Sequence, residues 1–381
     1  MTSTTRLTGG SIVTPDGTLA QLDVAIANGR IIELPSPGSG PGSVDTIDVT
    51  DRIVAPGLID VQINGGWGHD FTGDPTTIGQ VAARLPSTGV TTFVPTIVSS
   101  SQDRRTAAIA AIADLPGVAT SAAALGLHFE GPAISPERPG AHDPRRIGMP
   151  LAAELDTWTR ANGVVVVTLA PEVPGAIDLT RRLTEAGIVV SAGHTICTTA
   201  EFADARQAGA SMVTHLFNAM APFSHRSPGA IGATLADSDV RAGLICDGIH
   251  VDPVAVRMAW RSLGAAHIIL VTDAVAALGL DNATVELGGI TVAVSERGVR
   301  TADDVLAGSN LALDQAIRNL VAFTGCTYGE AIRSATTTPA EALGLTDRGR
   351  IEVGARADIT IFDEHLHVER TLIEGHTAWK S

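Results

Sequence analysis

The sequence predicts an α/β protein: a (β/α)8, TIM-like barrel with a small β-sandwich domain built from both chain termini. Three observations carry that expectation. Between residues 53 and 347 eight apolar candidate strands alternate with loops and helix-like segments, the texture of parallel strands covered on both faces. Residues 1–52 and 348–381 instead show short β-branched runs broken by turn residues, as in hairpins. No GxGxxG turn follows the first candidate barrel strand, which disfavours an open dinucleotide-binding sheet.

Taken in order, Ile12 and Val13 precede the turn Pro15-Asp16-Gly17, and LDVAIA (22–27) precedes Asn28-Gly29, after which IIEL (31–34) resumes. Asn-Gly between apolar runs is a strong hairpin signal. A segment rich in Gly, Pro and Ser (35–43) and the strand-like VDTIDVT (44–50) complete the first part of the sandwich. The barrel strands are expected at 53–63, 91–97, 123–129, 164–169, 187–193, 211–215, 241–247 and 266–272. Helices are expected at 76–85, 103–115, 153–161, 176–187 and 253–264. GRIEVGARADITIFD (349–363) and VERTLIEG (368–375) then return to strand and turn. The simplest closure pairs these with the first 52 residues.

Composition narrows the function. The 381 residues are 44% hydrophobic, 18% charged and 3% aromatic, which argues against a disordered chain, a coiled coil or a base-stacking platform. Lys and Arg number 26 against 41 Asp and Glu, a net charge of −15, so neither nucleic acid nor an anionic membrane is an expected partner. An anionic ligand would need locally placed positive groups. Three well-separated cysteines, Cys197, Cys246 and Cys326, do not suit a disulfide framework and suggest a reducing compartment. No apolar signal segment is readable at the N-terminus, and runs such as GVVVV (163–167) fall far short of the ~20 residues of a membrane span. The expected location is the cytoplasm.

Reactive groups of a barrel enzyme sit at the C-terminal strand ends. There the sequence places LHFEGP (127–132), SAGHT (191–195), VTHLFNAM (213–220), LICDGIHVDP (244–253) and LVTDAVA (270–276). Glu130, His194 and His215 offer one carboxylate oxygen and two imidazole nitrogens, a donor set suited to Zn2+, Fe2+ or a similar ion with a position left open for water. Asp273, at the end of an apolar strand, is placed to take a proton from water and return it to a leaving group. His128 shares the face of Glu130 and reads as a supporting or core residue. His225 and Arg226 in APFSHRSPGAIG (221–232), with HDPRR (142–146), are positive groups on an acidic body, and Arg can grip a phosphate with two parallel hydrogen bonds.

Eight ordered blocks go further: PGLIDVQINGG (56–66), LHFEGP, GHT (193–195), THLFNAM (214–220), DGIHVD (247–252), VTDA (271–274), LAGSN (306–310) and GRIEVGARADI (349–359). Over nearly its whole length the chain resembles the N-acetylglucosamine-6-phosphate deacetylases of the amidohydrolase superfamily. The resemblance implies hydrolysis of the acetamide of N-acetylglucosamine 6-phosphate to glucosamine 6-phosphate and acetate, in amino-sugar metabolism. It implies one divalent ion per subunit on Glu130, His194 and His215, Zn2+ first with Fe2+, Co2+ or Mn2+ as alternatives, and Asp273 as acid and base. His142 then polarises the acetamide carbonyl, Asn218, Ala219 and His250 hold the phosphorylated sugar, and Leu306 and Ala307 belong to a loop closing on it. Arg226 is expected to reach a phosphate in the neighbouring subunit, which implies a homodimer. Many superfamily members carry His-x-His after the first strand, where this chain has Gln62 and Asn64. Neutral amides are poor ligands for such ions, so the resemblance is to the one-metal branch. Other substrates of the superfamily (N-acetylgalactosamine 6-phosphate, an N-acyl amino acid, a cyclic amide) and a non-catalytic phosphosugar-binding barrel stay open at this point.

Overall fold

A computed structural model describes residues 4–39, 45–237 and 239–381. Both termini do build one β-rich unit. A four-stranded sheet runs Arg30–Glu33, Val24–Ala27, Thr5–Thr8, Asp45–Asp48, and a six-stranded sheet runs His376–Lys380, Val368–Ile373, Ile359–Phe362, Ile53–Pro56, Ser11–Val13, Leu19–Gln21. Leu7, Val24, Ile26, Ile12, Val54, Ile359 and Leu372 from the two sheets share one buried cluster, which is why the distant ends of the chain stay together. Asn28 and Gly29 both adopt positive φ, 52° and 72°, the two-residue turn anticipated there. The Gly, Pro and Ser segment at 35–43 lies partly outside the described residues.

The expected first barrel strand over 53–63 is in fact two strands. Ile53–Pro56 pairs antiparallel with Ile359–Phe362 and parallel with Ser11–Val13, while Leu58–Ile63 pairs parallel with Val90–Val98. The switch is Gly57, where a Cβ would lie 2.1 Å from Thr91 Oγ1; only a residue without a side chain lets the backbone pass. The chain thus passes from the terminal sheet to the barrel sheet at Gly57.

From Leu58 the barrel runs through Val90–Val98, Leu127–Glu130, Val164–Leu169, Val189–Ala192, Met212–Val213, Arg241–Ile245 and Ile268–Val271, each parallel to the next. At the C-terminal end the ring is closed by Asp273 N–H to Gln62 O (2.9 Å) and Asn64 N–H to Ala274 O (2.7 Å). At the other end the main chain of Ser334 and Ala335 fills the gap, accepting from Leu270 N–H and Ile59 N–H. The expected strand at 123–129 sits later, at Leu127–Glu130, with Ala123–Ala124 as a separate short pairing.

Four of the expected helices appear at Ile78–Ala82, Gln102–Ala113, Ala176–Glu185 and Pro253–Leu263. The fifth shrinks to Ala152–Leu155 because the chain turns to bury Trp158, whose ring packs 4.9 Å from that of Phe129. Among the described residues five further α-helices occur at Thr199–Gln207, Gly229–Ala236, Leu313–Thr324, Tyr328–Arg333 and Thr337–Ala342. A three-stranded antiparallel insertion, Thr284–Leu287, Ile290–Ser295 and Gly298–Thr301, follows the eighth barrel strand. Among the described residues no helix is long and apolar enough to cross a membrane.

Candidate active site

The groups singled out on the barrel rim converge. Glu130 ends the third strand, whereas His194, His215 and Asp273 sit just past the fifth, sixth and eighth, each with positive φ (49°, 28° and 47°). Non-glycine residues in that conformation carry strain, which the surrounding pairings hold in place and which turns their side chains into the mouth. His194 Nε2 lies 3.1 Å and His215 Nε2 2.9 Å from Glu130 Oε1, and the two nitrogens are 3.1 Å apart. All three residues are buried.

That triangle fits a cation. His194 Nδ1 faces the Arg138 carbonyl at 2.9 Å and donates its proton there, leaving the Nε2 lone pair turned inward. Two imidazole nitrogens and a carboxylate oxygen within 4.8 Å of one another form the donor set of an open catalytic zinc-type site, whose bonds of about 2.0–2.1 Å place neighbouring donors roughly 3.3 Å apart. Burial opposes ionisation of Glu130, but the three histidines around it, His142, His194 and His215, hold its carboxyl well below the usual range.

Asp273 stands beside the triangle. Its Oδ1 accepts from Asn64 Nδ2 at 2.7 Å and from Gln62 Nε2 at 3.1 Å, and Gln62 Nε2 also donates to Glu130 Oε1 at 3.1 Å. The Gln62 amide thus bridges both carboxylates in the barrel mouth, and Asn64 holds Asp273 alone. Burial, followed by the Glu130 charge, pushes Asp273 up to about 6, against the pull of His215, His250 and the Asn64 amide.

His142 lines the same cavity. Ser99 N–H donates to its Nδ1 at 3.3 Å and Ser99 Oγ lies 2.8 Å from the same nitrogen, which places the ring proton on Nε2, 3.8 Å from Glu130 Oε2. Burial and the neighbouring His194 push its pKa down to about 4. A neutral imidazole with N–H turned into the site is a donor for a carbonyl oxygen.

A cavity of about 410 Å³ joins these groups to Asn218, Ala219, His250 and Leu306. His250 Nδ1 is held by Asp247 Oδ2 at 2.7 Å, and Ala219 has φ of 50°. Two residues of the expected set, Ala307 and the Arg226 expected to serve a neighbouring subunit, do not line it. Ala307 is fully buried beneath the insertion, with its N–H bonded to Val299 O, and Arg226 is exposed on the Ser224–Ser227 turn, away from the cavity of its own chain. His128 is a core residue, 2.7 Å from Thr168 Oγ1.

The Amidohydrolase family model matches residues 53–378. The chain belongs to the amidohydrolase family. The N-acetylglucosamine-6-phosphate deacetylase of Rattus norvegicus is 39% identical over 96% of this amidohydrolase and 93% of its own length, and that of Bacillus subtilis is 35% identical over 97% and 96%. Among solved structures, the N-acetylglucosamine-6-phosphate deacetylase of Thermotoga maritima superposes with a TM-score of 0.90 at 34% identity, covering 99% of this chain and 100% of that one. A mutant of the Mycobacterium smegmatis enzyme in complex with N-acetyl-D-glucosamine-6-phosphate has a TM-score of 0.90 at 32% identity, covering 99% of both.

Two contributors to this amidohydrolase's site were missed in the sequence, Ser99 and the Arg138 carbonyl. Ser99 directly follows the second strand, so the strand-end rule that found Glu130 also reaches it. The Arg138 carbonyl leaves no side-chain signal.

Proposed function

We propose that this amidohydrolase deacetylates N-acetyl-D-glucosamine 6-phosphate, releasing D-glucosamine 6-phosphate and acetate. The observation that carries the reading is that Asp273 and His142 line one cavity of about 410 Å³ together with the clustered Glu130, His194 and His215.

Glu130, His194 and His215 would hold one divalent ion. When bound there, such an ion supplies acidity to a water and draws charge from a carbonyl oxygen; the nitrogen-rich donor set favours Zn2+ over hard ions. Asp273, ionised, accepts the proton of the attacking water. His142 Nε2–H donates to the amide oxygen as negative charge develops on it. Asp273 then passes its proton to the nitrogen, so that an amine leaves instead of a strongly basic anion. Asn64 and Gln62 keep the Asp273 carboxylate aimed throughout. His250, Asn218 and the Ala219 backbone bind the phosphorylated sugar, so that remote binding orients the amide.

Arg226, exposed beside Phe223, is available to a second copy of the chain, in keeping with a homodimer in which it completes the phosphate site. The three buried free cysteines suit a cytoplasmic enzyme. The test is acetate release by the metal-replete protein. The reading expects turnover of N-acetylglucosamine 6-phosphate with kcat/KM at least about a hundredfold above that of the unphosphorylated sugar; failure to release acetate from the phosphorylated sugar overturns it.

A further inference from the structure

The cavity is polarised around the barrel axis, and the apolar part of its wall has no part in the chemistry above. Asn218 and Ala219 follow the sixth strand, His250 the seventh and Asp273 the eighth, while Glu130 ends the third. The second strand ends between the first and third, and presents Val98 there, in register with Glu130. Leu287, from the first strand of the insertion, lines the same cavity and packs with Val98 in one apolar cluster, with Ala141 against it.

This apolar wall is anchored on both sides. Val98 N–H donates to Thr72 Oγ1 at 3.0 Å, and Gly288 N–H donates to Asp70 Oδ2 at 2.8 Å. Gly288 has φ of +60° and lies so near Val98 that a Cβ would sit 2.9 Å from Val98 Cγ2. Leu287 is therefore held against the second strand and has little room to retreat.

A planar amide presents three directions. With nitrogen toward Asp273 on the eighth strand, oxygen toward His142 after the third, and the sugar toward the sixth and seventh, the acyl substituent has the second-strand side left to it. We infer that Val98, Ala141 and Leu287 form the acyl subsite, and that Leu287 sets the length of acyl chain the enzyme accepts. The inference rests on the deacetylase reading above and deepens it: the substrates are short-chain N-acylglucosamine 6-phosphates, and the methyl group of acetyl is what this wall fits.

The experiment compares N-acetyl-, N-propionyl- and N-butyrylglucosamine 6-phosphate as substrates of the wild-type enzyme, Leu287→Ala and Leu287→Phe. Ratios of kcat/KM within one preparation are independent of how much protein is active. In a rigid apolar pocket one methylene changes kcat/KM by roughly 10- to 200-fold. Wild type should favour acetyl over butyryl by at least about tenfold, Leu287→Ala should raise the butyryl-to-acetyl ratio by about tenfold or more, and Leu287→Phe should lower the propionyl-to-acetyl ratio. Equal ratios in all three proteins overturn the subsite while leaving deacetylation intact. If the metal-loaded wild type hydrolyses none of the three, the deacetylase reading itself falls.

Discussion

Asn64 Nδ2 donates to Asp273 Oδ1 at 2.7 Å, tying the first barrel strand to the eighth at the point where a proton must be exchanged. Asp273 works as a base only when ionised. Burial and Glu130 raise its pKa and the Asn64 amide lowers it, so Asn64→Ala should raise it. The acid limb of the kcat/KM profile then moves to higher pH, by roughly one to two units given the ~1.5–3 kcal/mol of a hydrogen bond to a charge. A bound cation draws the limb down from about 6 in both proteins but preserves the difference. An acid limb that stays in place or moves down contradicts the assignment.

Asp273→Asn keeps the shape of the side chain and removes its basicity. Metal content should be unchanged while kcat falls by about 10²- to 10⁴-fold, measured by elemental analysis beside acetate release. Near-normal turnover would sink the acid and base role.

His142→Ala removes a donor that matters most as charge builds on the carbonyl oxygen. It should lower kcat by about 10²- to 10³-fold with a smaller change in KM. Ser99→Ala leaves the Ser99 backbone N–H on Nδ1 and removes only the hydroxyl, so it should fall in between. A KM effect with intact kcat in His142→Ala would make the residue a binding group only.

Gly57→Ala tests the joint between sandwich and barrel. The added methyl would lie 2.1 Å from Thr91 Oγ1, and overpacking of this kind costs roughly 1–3 kcal/mol. Denaturant titration should show that loss of stability; an unchanged midpoint would mean that the joint can yield.

Much of this arrangement was legible in the residues themselves. The alternating texture exposed the barrel, and because strand ends share one rim, Glu130, His194, His215 and Asp273 could be grouped although 143 positions separate the first from the last. Gly57 was only half legible: Pro56-Gly57 is a turn dipeptide, but it lies inside one apolar run, and the crowding by Thr91 exists only in three dimensions. The insertion at 284–301 carries alternation and Gly288-Gly289, but the barrel period ends before it, so nothing local says that Leu287 returns to the cavity. Trp158 ended a helix that periodicity extends to 161, because burying the indole outweighed helical propensity.

The most direct measurement is ion stoichiometry against acetate release, in the wild-type protein and in Glu130→Gln, His194→Ala and His215→Ala. One divalent ion per chain, activity rising in proportion to it, and loss of both in each variant are the expected results. Full activity after chelation, or ion binding that survives these substitutions, would contradict a single centre built by those three side chains.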